Sequence, residues 1–331
     1  MRKKKKYGFV NASRQRIPHS AMGVIETSNL VFFVIEKLAY GILYGLSLLP
    51  LRVLYVLSDV LNFLNFYLIG YRKQIVLSNL DCAFPEKSRG EKLRIAKQFY
   101  SNFFDTLVES IKLISSDNRL IQRMFIYDTS MNELINRSKK NIQIHCMHNF
   151  NWEIANLGVS REMQLPFLGV YQPITNRFFE DLFKKIRSRN GTVLIPANDF
   201  KRNYLPYRDR KYVIALVADQ NPGKPAKAWW ANFFGKPAPF VQGPENAALS
   251  RDTVVLFANF YKVKRGVYTF EAELFSENTS SLEKGEMTLK YIQYLERIIR
   301  LRPDNYLWSH RRWKHPYKAE YAESVLEKLN L

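Results

Sequence analysis

KNIQIHCMHNFNWE, residues 140–153, is the stretch from which the fold can be read. Ile142, Ile144 and Cys146 alternate with Gln143, His145 and Met147, the two-residue period of a half-buried strand. Asn149 and Asn151 then bracket Phe150 and break that alternation. From Trp152 onward, Ile154, Ala155 and Leu157 carry a helical apolar pattern, with Asn151 placed as N-cap and Glu153 in the first turn. His148 therefore falls at the carboxyl end of a strand and Glu153 at the start of the following helix, where open α/β sheets collect ligands. An imidazole and a carboxylate in one such loop point to a general base and the group that orients it. The same spacing also fits a core histidine followed by an ordinary first-turn Glu, because carboxylates are favoured at helix N-termini.

Outward from this stretch the pattern repeats. Strand-like runs are expected at 142–147, 167–170, 192–195, 213–218, 254–260 and 268–273. Helical patterns fall between them at 151–159, 176–189, 199–207 and 243–251, and a long helix at 282–301 ends before Pro303. Strands alternating with helices predict an α/β fold, a parallel or mixed sheet flanked by helices on both faces. Upstream, helices are expected over 72–80 and 88–115, separated by a turn at Phe84-Pro85-Glu86.

The N-terminal region has a different character. Residues 30–49 are nearly apolar and about long enough to cross a bilayer, although Glu36 and Lys37 lie within them. Residues 53–69 form a shorter apolar run carrying Asp59. The two runs read as a single anchor, as a pair of interfacial helices, or as a helical cap over a soluble core. No small-residue cleavage pattern follows the first run, so no removed signal peptide is read, and Met22 is a candidate native start.

The chain has 331 residues, is 47% hydrophobic and carries a net charge of +20, from 50 basic and 30 acidic residues. That composition excludes global disorder and allows one large or two modest domains. Setting aside the seven cations among the first sixteen residues still leaves about +13, so the whole surface is biased toward anionic partners such as acidic lipid, nucleic acid or an acidic protein. Cys82 and Cys146 have neither CxxC nor disulfide-framework spacing and read as small buried hydrophobes in a reducing compartment. The five histidines form no HExxH motif, and neither a metal nor a cofactor is expected. No P-loop, GxGxxG or GxSxG motif is present.

Three further loops combine polar groups, Gly or Pro, and aromatics. Gly169 to Pro173, with Tyr171, leads toward Arg187-Ser188-Arg189-Asn190-Gly191, whose arginines offer forked donors to phosphate or carboxylate. Ala218-Asp219-Gln220-Asn221-Pro222-Gly223 ends another strand, and aromatics from Trp229 to Phe234 follow it. Tyr306 to His315 alternates cations and indoles, with Arg311 and Arg312 at its centre. Taken alone, that last stretch fits single-stranded nucleic acid as well as a membrane phosphate.

Taken in order, these motifs resemble the late acyltransferases of lipid A biosynthesis, within the lysophospholipid and glycerolipid acyltransferase superfamily. His148-Asn-Phe-Asn-Trp-Glu153 is similar to their His-x4-Glu signature. Asn79-Leu80 with Phe84-Pro85-Glu86, Tyr171 with Pro173, Arg187 to Gly191, Asp219 to Pro222, Phe233-Phe234-Gly235 and Trp308 to Lys314 follow in the family's order. Family members carry glycine where this chain has Met147 and Phe150, positions at which glycine allows close backbone approach.

The resemblance implies a glycerolipid-acyltransferase-like mixed sheet with an N-terminal membrane-associated helical region. The implied division is a basic tail over 1–29, anchoring helices over 30–69 and a catalytic domain over 70–331. It further implies an enzyme of the bacterial inner membrane, facing the cytoplasm, that moves a fatty acyl chain from acyl carrier protein to a hydroxyl or amine of an anionic lipid, with a lipid A precursor the default acceptor. His148 would be the general base and Glu153 its orienting acid, loss of either abolishing transfer while sparing the fold. Backbone amides at the helix start near Asn151 are one candidate set of oxyanion donors, which the sequence does not assign. Arg187 and Arg189 would bind the headgroup phosphate, with Asp219, Gln220, Tyr171, Arg311 and Arg312 also lining the substrate cleft. Nucleic acid is not expected as a partner. A basic nucleic-acid binder, an enzyme for another lysolipid or aminolipid, and an inactive membrane scaffold are the competing readings.

Overall fold

Pro50 and Gly70 divide the apolar N-terminal region, as residues that end helices should. The structure, a computed structural model, describes residues 19–330; most of the basic tail lies outside them. Helix α1 (His19–Leu48) stops before Pro50, and α2 (Leu51–Leu64) continues through a π-helical turn, Asn65–Ile69, to Gly70 in the left-handed region (φ 68°). There follow α3 (Lys73–Ala83), α4 (Arg89–Lys112), α5 (Asn118–Met124), β1 (Phe125–Ile126) and α6 (Ser130–Arg137). The α/β part comprises β2 (Ile142–Cys146), α7 (Trp152–Glu162), β3 (Phe167–Tyr171), α8 (Arg177–Arg187), β4 (Val193–Pro196), α9 (Phe200–Tyr204) and β5 (Val213–Val217). It is completed by the hairpin β6 (Ala228–Phe233) and β7 (Lys236–Val241), then α10 (Gly243–Arg251), β8 (Val254–Lys264), β9 (Val267–Ser276) and α11 (Glu286–Leu301).

Seven strands form one mixed sheet in the order β1-β9-β8-β2-β5-β3-β4, antiparallel only between β8 and β9. All six expected strands are present. β1 is too short to leave a periodic signal. The β6–β7 hairpin escaped because its aromatic run, Trp229 to Phe234, reads equally well as a surface cluster. In fact Trp230 and Phe233 are fully buried. Phe234 and Gly235 both take positive φ (52° and 73°), the requirement of a tight two-residue hairpin turn. The cost of that backbone at Phe234 is offset by its ring, buried 5.6 Å from Phe84.

The apolar core is continuous from α3 and α4 through β8 to α11 and the segment around Trp308. Ser88 starts α4 with a capping box, its hydroxyl accepting from the Glu91 amide while the Glu91 carboxylate accepts from the Ser88 amide. The described residues from Leu46 onward form one compact unit, so α2 belongs to the body that carries the sheet. Its polar side is tied down: Ser58 Oγ donates to buried Asp105 (2.7 Å), and Arg265, in the β8–β9 turn, bridges Asp59 (2.7 Å) and Asp105 (2.7 Å). This explains a charge inside an apolar run, since Asp59 faces Arg265. The opposite side exposes Val53, Val56, Val60, Phe63 and Tyr67, spaced three and four apart. Residues Leu51–Ile69 are long and apolar enough, by length and composition, to cross a membrane.

Helix α7 approaches the sheet edge closely at Gly158, where a methyl group would overlap the ring of buried Phe125 in β1. Gly158→Ala gains helix propensity but forces that ring or the helix to move, and overpacking of this kind costs about 1–3 kcal/mol. The expected result is a lower thermal midpoint in the purified protein; an unchanged or raised midpoint would show that the contact yields freely.

Candidate active site

The parallel pairing of β2 with β5 sets Cys146 level with Val217. Two residues beyond each, both strands end in a polar side chain, His148 and Asp219. His148 Nδ1 and Asp219 Oδ1 are 2.7 Å apart. Asp219 is buried, at 1% exposure, whereas the His148 side chain is 27% exposed and its Nε2 has no hydrogen-bond partner among the described residues. Burial opposes ionisation of Asp219, but the neighbouring imidazolium and backbone N–H donors more than offset it and hold the carboxyl below the usual carboxylate range.

The carboxylate expected beside His148 was Glu153, and this pairing is corrected. Glu153 turns instead to Arg187, accepting from Nε (2.9 and 3.1 Å) and from Nη2 (2.5 Å), and Trp152 Nε1 also donates to it (2.9 Å). The physical reason is the start of α7. Asn151 caps it, its Oδ1 accepting from the Glu153 and Ile154 amides (3.0 and 3.4 Å), and the chain has turned by then so that the Glu153 side chain packs toward α8. Those two amides, expected as oxyanion donors, are thereby already engaged.

The arginines expected to bind phosphate are also engaged by the protein. Arg189 donates to the carbonyls of Ser116 (2.8 Å) and Leu113 (2.7 Å), fastening the end of α8 to the end of α4. Arg312 is buried at 1% exposure, donating to Asn221 Oδ1 (3.1 Å) and the Pro239 carbonyl (2.9 Å) and lying 4.2 Å from the Phe240 ring centre. Arg311 is exposed, and its carbonyl accepts from Asn221 Nδ2 (2.6 Å). Tyr171 donates to Glu180 (2.8 Å) at the cavity wall.

Segment 305–312 serves as a backing for the loop. The Leu307 amide donates to the His148 carbonyl (3.0 Å) and the Phe150 amide to the Asn305 carbonyl (3.3 Å). Trp308 is fully buried and its carbonyl, like that of His310, accepts from Asn79 Nδ2 (2.7 Å each). Its first indole and Arg312 lie inside the core, so the alternation of cations and indoles in this stretch is in part packing. Burial pushes His310 down to about 4 and His145, beneath the sheet, down to about 3, so both stay neutral near pH 7.

Met147 and Phe150, the residues in the family's glycine positions, are buried at 1% and 0%. The Phe150 ring sits 5.5 Å from Phe99 of α4 and 6.3 Å from Trp152. The bulk lies in the core and leaves the imidazole clear.

His148 opens onto a cavity of about 1070 Å³ lined mostly by apolar side chains of β2, β3, β5 and their flanking helices. Its polar wall includes Gln220, Asn221, Tyr171 and the Glu153–Arg187 pair, and exposed Lys224 and Lys227 also line it. Sequence reasoning missed these lysines, although they follow the Asp219 turn by only a few residues. It placed Asp219 in the cleft but not against His148; the signal was its position two residues past a strand, usable only once β2 and β5 are known to be neighbours.

Two outcomes follow from these pairs. Arg187→Ala leaves the Glu153 carboxylate buried and unpaired, which costs about 3–5 kcal/mol, and should lower the thermal midpoint far more than Arg311→Ala. Because the folded state depresses the Asp219 pKa, its charge stabilises the fold above roughly pH 4, and that contribution disappears as the pH falls through the lower folded value. Asp219→Asn should therefore flatten the acid side of the unfolding-midpoint profile; an unaltered profile would deny Asp219 that share.

Comparison with known proteins identifies the family. Residues 25–315 match the family model described as bacterial lipid A biosynthesis acyltransferase. The chain is 24% identical over 280 residues to the lipid A biosynthesis lauroyltransferase of Escherichia coli (strain K12), covering 84% of this chain and 90% of the relative. It is 21% identical over 286 residues to the palmitoleoyltransferase of lipid A biosynthesis from the same strain and to a lipid A biosynthesis acyltransferase of Shigella flexneri, each time covering 83% of this chain and 89% of the relative. A match over most of the chain places it among these enzymes: it is an acyltransferase and belongs to the bacterial lipid A biosynthesis acyltransferase family.

Proposed function

We propose that this enzyme transfers a fatty acyl group from an acyl carrier protein thioester to a hydroxyl of an anionic lipid, most simply a lipid A precursor, using His148 as general base and Asp219 as its orienting carboxylate. The observation that carries the reading is the His148–Asp219 pair, with Nε2 unengaged, at the wall of a large apolar cavity. At about 1070 Å³ the cavity lies at the upper end of the ~300–1,000 Å³ of small-molecule sites, as a lipid chain requires.

The chemistry follows from the geometry. An aliphatic hydroxyl attacks poorly at pH 7 unless its proton is taken as it attacks. His148 Nε2 accepts that proton while the acceptor oxygen bonds to the thioester carbonyl carbon. Asp219, on Nδ1, fixes the tautomer and stabilises the imidazolium, as the acid of a serine-hydrolase triad does, with the substrate hydroxyl in place of the serine. The tetrahedral intermediate then expels the thiolate, which takes the proton back from His148. No acyl-enzyme is required. Gln220 offers an amide donor in the same cavity for the carbonyl oxygen. Glu153 acts at one remove, holding Arg187 and the wall behind the imidazole. Exposed Lys224 and Lys227 are the side chains we assign to the acceptor's phosphate, since Arg187 and Arg189 are committed to protein partners.

Helix α2 supports attachment to the bacterial inner membrane from the cytoplasmic side. Its polar side is held by Asp105 and Arg265 while its exposed valines and aromatics face outward, the division of a helix lying in the bilayer interface. The basic surface favours both an acidic carrier and anionic headgroups.

Purified His148→Ala and Asp219→Asn, assayed with acyl carrier protein thioester and a lipid A precursor, should each lose about 10²–10⁴-fold in kcat. Glu153→Gln, once corrected for folded protein, should lose less than Asp219→Asn. Near-full activity in Asp219→Asn would rule out the proposed dyad. Lipid mass spectrometry of a deletion strain, showing one missing acyl chain on lipid A, tests the acceptor; an unaltered lipid A with a changed lysolipid or aminolipid would reassign it.

A further inference from the structure

Glu109 of α4 is completely buried and has no part in the chemistry above. Its carboxylate accepts from Tyr55 of α2 (2.9 Å), from Tyr268 of β9 (2.6 Å) and from Asn151 Nδ2 (3.0 Å), the residue that caps α7 three positions after His148. Burial pushes this carboxyl up, against the pull of the three donors and of Lys262.

The loop from His148 to Asn151 has two asparagine pegs. Asn149 is held through Nδ2 by Asn259 Oδ1 (2.5 Å) and the Phe260 carbonyl (3.1 Å) of β8. Asn151 is held through Nδ2 by Glu109 alone, and its Oδ1 is spent on the α7 amides. An acceptor at position 109 thus determines which way the Asn151 amide faces, and hence whether the cap and the turn that precede α7 close as they do. A carboxylate can accept all three donors at once, whereas a carboxamide there must present its NH2 to at least one of them.

We propose that Glu109 is a positioning residue for the acyl-transfer loop, orienting Asn151 and through it His148, and that it joins this loop to the interfacial helix α2 through Tyr55. This proposal rests on the acyltransferase mechanism stated above. It accounts for a buried carboxylate on a helix that supplies no side chain to the cavity wall, and it makes the seating of α2 and the shape of the loop parts of one hydrogen-bonded cluster.

The test reverses the polarity of the contact in the full-length protein. Glu109→Gln leaves one acceptor oxygen and an NH2 facing the three donors, and Asn151→Asp places a second carboxylate beside Glu109. Combined, the two substitutions recreate the bond with donor and acceptor exchanged, and Asp still caps α7. Each variant is assayed for acyl transfer with acyl carrier protein thioester and lipid A precursor, with kcat and both KM values taken on protein whose fold is checked by circular dichroism and thermal unfolding. Asn151→Asp should lose on the order of 10–100-fold in kcat, the scale of a small misplacement of a catalytic group, with KM values unchanged, and Glu109→Gln, which keeps an oxygen for Asn151, should lose less. The double variant should recover most of that loss. If Glu109→Gln alone does not fold, recovery of Asn151→Asp by adding Glu109→Gln carries the same information.

Wild-type kcat in folded Asn151→Asp, a loss confined to KM, or a double variant no better than Asn151→Asp alone would overturn the proposal. Wild-type activity and inactive His148→Ala, measured alongside, keep the acyl-transfer reading separate from this outcome.

Discussion

The register between β2 and β5 is the constraint on which the site depends. Parallel neighbours advance together, so pairing Cys146 with Val217 brings the residues just beyond both strand ends to the same level. His148 and Asp219 meet for that reason, 71 positions apart in the chain. A shift of one residue would turn the side chains of a whole strand to the other face of the sheet. Both strands are deeply buried where they pair, Ile142, Ile144 and Val213 at 1% or less, so the register is secured by apolar packing along the strands and the polar pair inherits its geometry.

The remainder of the loop is held by donors and acceptors drawn from distant elements. Segment 305–307 supplies backbone partners to His148 and Phe150, β8 holds Asn149, and α4 holds Asn151. The motifs of the late-acyltransferase pattern are therefore mostly supports. Asn79 binds the Trp308 and His310 carbonyls; Phe84 packs against both Phe234 and Trp308, at 5.6 and 5.9 Å. Their order along the chain is a record of one connected scaffold around the imidazole.

What was legible in the sequence follows the reach of each interaction. Alternation and helical periodicity are local, and they placed all six longer sheet strands and located His148 at a strand end. The pairing of carboxylates is not local. Glu153 is assigned to His148 because only four residues separate them, but the Asn151 cap turns the chain between the two, and Arg187 is the countercharge that Glu153 meets. The arginine cluster at 187–191 looked like an anion site because sequence shows donors and hides the carbonyls that Arg189 faces. Met147 and Phe150 stand where the family carries glycine, and only the packing of Phe150 on Phe99 shows where its bulk goes.

Charge burial gives the architecture a consistent direction. Asp105 and Glu109, one turn apart on α4, are each buried to 1% or less and together bind groups from α2, β8, β9 and the catalytic loop. Replacing such a cluster by apolar residues need not weaken a fold, since buried charges recover little beyond their desolvation cost. What apolar packing cannot supply is direction: a carboxylate with fixed donors specifies the angle of each partner, where a leucine would only fill the volume. The helix carrying these two acids stands between the exposed apolar side of α2 and the loop bearing His148. Any displacement of α2 must then either break the hydrogen bonds of Ser58 to Asp105 and of Tyr55 to Glu109 or carry α4 with it. The Asp59–Arg265 pair lies open to solvent and adds little, so it is the two buried acceptors of α4 that couple the seat of α2 to the loop bearing His148.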